Sequence, residues 1–161
     1  MRPCEICGRP GQKHHIIFRS QGGMNIDLNY AWLCPEHHTD GKAAVHNNRS
    51  LDLKLKIRLQ KELEKLFPEE TYQIGEVAER IGYNRRRLEK RMKAVPRRAG
   101  EFERMEIIRF LMGGKLYAAV APADPEQGSR GGEASDGIKF FEYPFEGIGN
   151  GEREGELPPG F

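Results

Sequence analysis

Residues 4–46 read CEICGRPGQKHHIIFRSQGGMNIDLNYAWLCPEHHTDGKAAVH, and they hold all three cysteines and all five histidines of the 161-residue chain. Thiols and imidazoles are the side chains that bind transition metals. A segment of about fifty residues with few large apolar groups is too small to be held by a core alone, so a metal staple is the expected remedy. Cys4-Glu-Ile-Cys7 and Cys34-Pro-Glu-His37 form a CxxC and a CxxH knuckle with 26 residues between them. Together they supply four ligands for a tetrahedral structural Zn²⁺. Such a site is closed. With no position left for water, the zinc would contribute folding energy and not chemistry. His38 follows His37 directly and could complete the site in its place, but the CxxH spacing favours His37.

That site leaves His14, His15, Asn29, His38 and His46 unused. A second centre built from imidazoles, with open positions for water and a phosphate oxygen, would use them. The blocks CEICG, HHIIFRSQGG and NYAWLCPEHH, with Asn29 five residues before the third cysteine, resemble the HNH endonuclease family. The resemblance implies a ββα-metal unit, two short strands and a helix around one divalent cation. The first strand would cover 14–18. Adjacent strand residues face opposite ways, so His14 and His15 must take different roles. By resemblance His14 is a cation ligand and His15 the general base. Asn29, on the second strand, would hold the His15 imidazole in the tautomer that frees its other nitrogen. His38, at the start of the closing helix, would be the second ligand.

Family members often carry a further histidine four residues beyond that point, where this chain has Lys42. His46 becomes the third ligand if the intervening segment bulges, and otherwise it contacts phosphate. The implied reaction is phosphodiester hydrolysis giving 5′-phosphate and 3′-hydroxyl ends. Mg²⁺, Mn²⁺ or Ni²⁺ would serve as the catalytic cation, and imidazole ligands lean toward the transition metals. Arg19 would clamp a phosphate or simply lie in solvent. Enzymes of this kind are frequent in phage and mobile elements, which would supply further protein partners.

From Ser50 onward the composition turns to Leu, Lys and Glu. Leu55, Leu59, Leu63, Leu66 and Phe67 trace one helical stripe that Pro68 stops. Residues 51–59 also alternate strictly, which is the strand period. Helix is preferred because Leu and Lys are strong helix formers and no turn signal closes a partner strand. Ile74, Val77, Ala78 and Ile81 then fall at i, i+3, i+4 and i+7, Gly82 interrupts, and Leu88 and Met92 resume the period. Met105, Ile108 and Met112, with Ile107 and Leu111, mark a third helix ending near Gly113 and Gly114.

Arg80, Arg85, Arg86, Arg87, Lys90, Arg91, Lys93, Arg97 and Arg98 put nine positive charges into 19 residues against one carboxylate, Glu89. The stretch YQIGEVAERIGYNRRRLEKRM is similar to helix-turn-helix families, with Gly82 where the turn needs positive φ. In that frame Arg85, Arg86, Arg87, Lys90 and Arg91 meet phosphates, while Asn84 and Arg85 are placed for base edges. A helical bundle with a solvated basic face is the bland alternative.

The net charge of +2 conceals a polarised layout: residues 1–50 carry 6 basic and 4 acidic groups, 51–117 carry 17 and 11, and 118–161 carry 3 and 9. A basic body favours a polyanion, double-stranded DNA first. The last 44 residues hold 9 Gly and 5 Pro, the composition of a disordered acidic tail, apart from the aromatic cluster Phe140, Phe141, Tyr143 and Phe145. No apolar run approaches the ~18 residues that span a bilayer. Three cysteines cannot all pair within one chain and the N-terminus lacks a secretory apolar stretch, so a reducing cytoplasm is expected. The expected class is α+β: an HNH unit over 1–50, a connecting helix over 51–68, a helix-turn-helix-like module over 70–117 and the tail over 118–161. The alternatives to a DNA endonuclease are a zinc-stapled DNA-binding protein that does not cut, and a nuclease of the same chemistry acting on RNA. Oligomeric state is open.

Overall fold

The computed structural model describes residues 2–117 and 140–142. Strands β1 (Gln12–His15) and β2 (Tyr30–Leu33) pair antiparallel, with Lys13 opposite Trp32, His14 opposite Ala31 and His15 opposite Tyr30. The two-residue period buries His14, Ala31 and Leu33 on one face and leaves Lys13, His15, Tyr30 and Trp32 on the other. β1 stops at His15, short of the 14–18 strand expected from sequence. Asn29 is the cause: its side chain accepts from Ile17 N at 2.8 Å and donates to Ile17 O at 3.0 Å, replacing strand pairing with a side-chain clasp. Asn29 itself lies in a 3₁₀ turn, Asp27–Asn29, just before β2 rather than on it.

After β2 the chain makes a four-residue helix, α1 (Pro35–His38), so His38 ends a short helix where a longer one was expected to begin. The long helix is α2 (Arg49–Leu66), entered through Asn48, whose side chain accepts from Leu51 N. Helix wins over the alternating pattern at 51–59: Leu53, Leu55, Leu59 and Leu63 are buried along α2. The helix ends at Phe67, where the following Pro68 disfavours helical backbone.

Next come β3 (Thr71–Tyr72), α3 (Ile74–Arg80), α4 (Arg85–Arg91), β4 (Phe102–Glu103), α5 (Arg104–Leu111), β5 (Lys115–Tyr117) and β6 (Phe140–Glu142). Gln73 and Glu76 form a capping box at the start of α3. Gly82, at φ +64°, makes the turn into α4, as its place in the sequence predicts. Ile74, Val77, Ala78, Ile81, Leu88 and Met92 are all buried, but Met105, grouped with Ile108 and Met112 in the sequence pattern, faces solvent at 40% exposure. The β3–β4 pair had no sequence signal. Arg104 ties this part back to α2, donating from Nε to Phe67 O at 2.5 Å and from Nη2 to Glu64 O at 2.9 Å.

Among the described residues the chain is α+β, with five helices and three two-stranded antiparallel sheets. None of these helices is long and apolar enough to cross a membrane. Of the segment 118–161 only 140–142 is described, and it pairs with β5 in the register Lys115–Glu142, Leu116–Phe141, Tyr117–Phe140. The expectation of a disordered tail otherwise falls outside the described residues.

One buried cluster runs from Cys4 to Tyr117, across the boundaries drawn at residues 50 and 68. The loop 16–29 and the turn after α5 approach closely within it. A Cβ on Gly113, at φ +71°, would meet Gln21 O at 2.2 Å and Ile17 Cγ2 at 2.9 Å. Arg91 Nη2 donates to Gly22 O at 2.9 Å on the same loop. Gly113→Ala is therefore expected to lower stability by about 1–3 kcal/mol or more through strain and overlap. Urea unfolding of the variant beside wild type checks this.

Candidate metal centres

The first centre assembles at the open end of the hairpin. Cys4 and Cys7 sit on a tight turn closed by Gly8 N donating to Cys4 O at 2.9 Å, with Gly8 at φ +74°. Cys34 caps α1, and Pro35 at its first helical position fixes the turn that carries His37 back over Cys34. The Sγ atoms of Cys7 and Cys34 are 3.5 Å apart, and His37 Nδ1 lies 3.3 Å from Cys34 Sγ and 3.7 Å from Cys4 Sγ. A tetrahedron with Zn–S near 2.3 Å and Zn–N near 2.0 Å has edges of about 3.5–3.8 Å. The spacing is that of ligands around one ion. It is far from the ~2.05 Å of a disulfide, and all three cysteines are free. Cys4, Cys7, Cys34 and His37 thus lie close together and could hold a zinc.

Electrostatics favour the ligand form at two of the thiols. Burial alone raises Cys4, but hydrogen bonds from the backbone of Cys34, Ile6 and Cys7 outweigh it and bring the thiol down to about 6. Cys7 is lowered chiefly by the Arg9 backbone, whereas burial raises Cys34. His37 is depressed by burial yet ends above its ordinary value, because the Cys4 and Cys7 sulfurs face it. Arg9 Nη1 donates to Glu36 Oε1 at 2.6 Å, and a second guanidinium nitrogen meets Oε2, bridging the two knuckles. Both side chains are more than half exposed, so the pair adds little to stability.

The second centre lies on the buried face of the hairpin. His14 from β1, His38 from the end of α1 and His46 from the following loop converge, with ring centroids 5.0 to 5.3 Å apart. Each offers one nitrogen, and these atoms all lie within 4.8 Å of one another. His46 returns because Val45 N donates to His37 O at 2.8 Å while Ala44 and Val45 are buried. Phe18 lines the cluster, edge-on to His14 at 5.6 Å and stacked on His46 at 5.3 Å.

Two buried atoms here, His14 Nε2 and His38 Nδ1, have no hydrogen-bond partner. Leaving a buried polar atom unpaired costs roughly 1–3 kcal/mol, which a cation would offset. His14 is 2% exposed. Burial, then the positive charge of His38, His46, His15 and Lys56, pushes it down to about 4, and His38 is lowered by burial and by His46 against a smaller opposing effect of Asp40. Neutral imidazoles are the metal-ligating form. With three protein ligands, one of them exposed, such a site leaves coordination positions open.

His15 stands outside this cluster, on the other face of β1. Its Nε2 pairs with Asn25 Oδ1 at 2.9 Å and its ring meets Tyr30 edge-on at 4.7 Å. The expected support from Asn29 is corrected here: Asn29 is 1% exposed, its side chain bonds Ile17 and Met24 backbone, and its carbonyl accepts from Ile16 N. The side chain that His15 does meet is Asn25, four residues earlier, on the clasped loop. Its sequence signal was only a second Asn ahead of Asn29.

Lys56 was also missed. It is 5% exposed, pairs with Asp52 at 2.8 Å, and places Nζ 5.1 Å from the centre of the Phe18 ring.

Arg85, Arg86, Arg87, Lys90 and Arg91 are exposed along α4, and Arg19 is exposed in the 3₁₀ turn Arg19–Gln21. Asn84, expected at base edges, is engaged as the helix cap: its Oδ1 accepts from Arg87 N at 3.1 Å. Arg91 spends one nitrogen on Gly22 O. Compared with known proteins, the chain matches no family model, no curated protein and no solved structure.

Metal analysis of the purified chain should return one zinc per chain held by the cysteine centre. Cys34→Ser should lose that zinc and the cooperative unfolding transition with it, since metal-binding energy in such sites is folding energy. A variant that keeps a sharp transition without zinc would refute the structural role.

Proposed function

We propose that this chain is a metal-dependent DNA endonuclease of the HNH type, with His14, His38 and His46 holding one divalent cation and His15 as general base. The observation that carries it is the pair of buried, partnerless nitrogens on His14 and His38, two rings that cluster with a third imidazole, His46. A zinc-stapled protein that merely binds DNA leaves that cost without an offset. When bound there, a divalent cation supplies positive charge for the phosphate oxygens and the departing 3′ oxygen.

His15 is suited to move the proton. Asn25 Oδ1 can only accept, so the 2.9 Å bond puts the ring proton on Nε2 and leaves the Nδ1 lone pair free. Tyr30 Oη donates to the same oxygen at 3.3 Å. In the proposed step Nδ1 takes a proton from water, the water oxygen attacks phosphorus in line, and the P–O3′ bond breaks. The 3′ oxygen leaves and is protonated, giving 5′-phosphate and 3′-hydroxyl ends.

Arg85, Arg86, Arg87 and Lys90 serve as phosphate contacts on a helix-turn-helix-like module, with Arg85 the remaining candidate for base edges. The contacts of Arg91 and Gly113 on the loop that follows His15 keep that module against the site. An RNA substrate of equal length separates this from the RNA-cutting alternative.

In a supercoiled-plasmid nicking assay with Mg²⁺, Mn²⁺ or Ni²⁺, His15→Ala is expected to slow cutting by about 10²–10⁴-fold. Equal rates would reject the catalytic role. His14→Ala should abolish calorimetric binding of added Mn²⁺ or Ni²⁺ while zinc content stays unchanged. Combined Arg85→Ala and Arg86→Ala should weaken duplex binding and flatten the plot of log K against log salt by about 1.8. An unchanged slope would mean that these arginines are a solvated face.

A further inference from the structure

The outer face of the hairpin carries rings and cations that neither metal centre nor the core uses. Lys13, His15, Tyr30 and Trp32 share it by register, two cross-strand pairs side by side. Lys13 Nζ lies 4.6 Å from the Tyr30 ring centre and 5.9 Å from that of Trp32, and the Arg2 guanidinium lies 5.6 Å over Trp32. Tyr30 and Trp32 are half-buried, while Arg2 and Lys13 are exposed. The carboxylate at the border, Glu5, is engaged: Oε1 accepts from Trp32 N at 2.9 Å and Oε2 pairs with Arg58 at 2.5 Å.

Large aromatic rings interleaved with cations on a solvent face match one ligand chemistry. Unpaired nucleobases stack on the rings while their phosphates meet the cations. A paired duplex keeps its base faces stacked inside and cannot use the rings. We propose that Arg2, Lys13, Tyr30 and Trp32 form a stacking platform for a single-stranded segment of DNA, which leads the strand to His15 at the end of the same face. The link to His15 rests on the endonuclease function proposed above. The platform itself does not.

Trp32 is the only tryptophan in the chain, so its emission reports on this face alone. The full-length zinc-loaded protein, with no other divalent cation added, is titrated with a short oligothymidylate, a duplex of equal length and heparin, a polyanion without bases. The oligothymidylate is expected to quench Trp32 saturably and at lower concentration than the duplex, and heparin to leave the emission unchanged. Tyr30→Ala should weaken oligothymidylate binding by about tenfold. Lys13→Gln, at an exposed strand position, should weaken it and lower the salt slope by about 0.7.

The platform is overturned if oligothymidylate has no advantage over duplex or heparin, or if both variants bind as wild type. Plasmid nicking by the same protein after addition of Mg²⁺, Mn²⁺ or Ni²⁺ separates the two proposals. Nicking without quenching removes the platform and leaves the endonuclease standing, and quenching without nicking does the reverse.

Discussion

Closure of Cys4 and Cys7 against Cys34 and His37 is the constraint on which the N-terminal geometry depends. The hairpin has only two four-residue strands, and a two-stranded ribbon of that size is marginal in water. Gathering four ligand atoms within 4.8 Å pins the segment before β1 to the segment after β2. His14 is ten residues beyond Cys4, and His38 is the residue after His37. Their convergence is set from the metal-closed end of the strands, beside Gln12 and Leu33. Loss of the closure would separate the His14 and His38 nitrogens even with every histidine intact.

A second constraint is strand parity. His14 and His15 are consecutive in β1, so one must enter the protein and the other leave it. The inward imidazole loses solvent, becomes hard to protonate and meets two others. The outward one keeps contact with solvent and a polar partner, Asn25. A pair of identical side chains is thereby divided by backbone geometry into a buried imidazole held neutral and one that meets solvent. The same parity places Tyr30 and Trp32 on the face that His15 occupies, with Lys13 between them.

Much of this could be read from sequence because the signals are local. The CxxC and CxxH spacings need only a turn each, and Pro68, Gly82 and the Gly113–Gly114 pair punctuate helices through their own backbone preferences. What escaped depends on the path of a loop. Asn25 and Asn29 are chemically identical and four residues apart, and only the fold of residues 16–29 determines that one clasps Ile17 and the other reaches His15. β3 and β4, two residues each, are tertiary contacts recorded as strands, with no period long enough to detect. Lys56 reads as a solvated helix lysine until Asp52 and Phe18 are placed around it.

The loop 16–29 links these levels. Its inner side supplies Ile16, Ile17 and Met24 to the core, and its tip takes Gly113 and Arg91 from the helical part. Gly23 is required there as well, since a Cβ would fall 1.8 Å from Ile17 O. A loop held at both ends by strands, in the middle by Asn29 and at its tip by the helical part has few ways to move independently. Arg91 on α4, beside the other exposed arginines, meets this loop at Gly22, seven residues beyond His15. The helical part and the hairpin that carries His14 and His15 are therefore packed through one loop, because Gly113 lets its backbone reach Gln21 and Arg91 bonds the next residue.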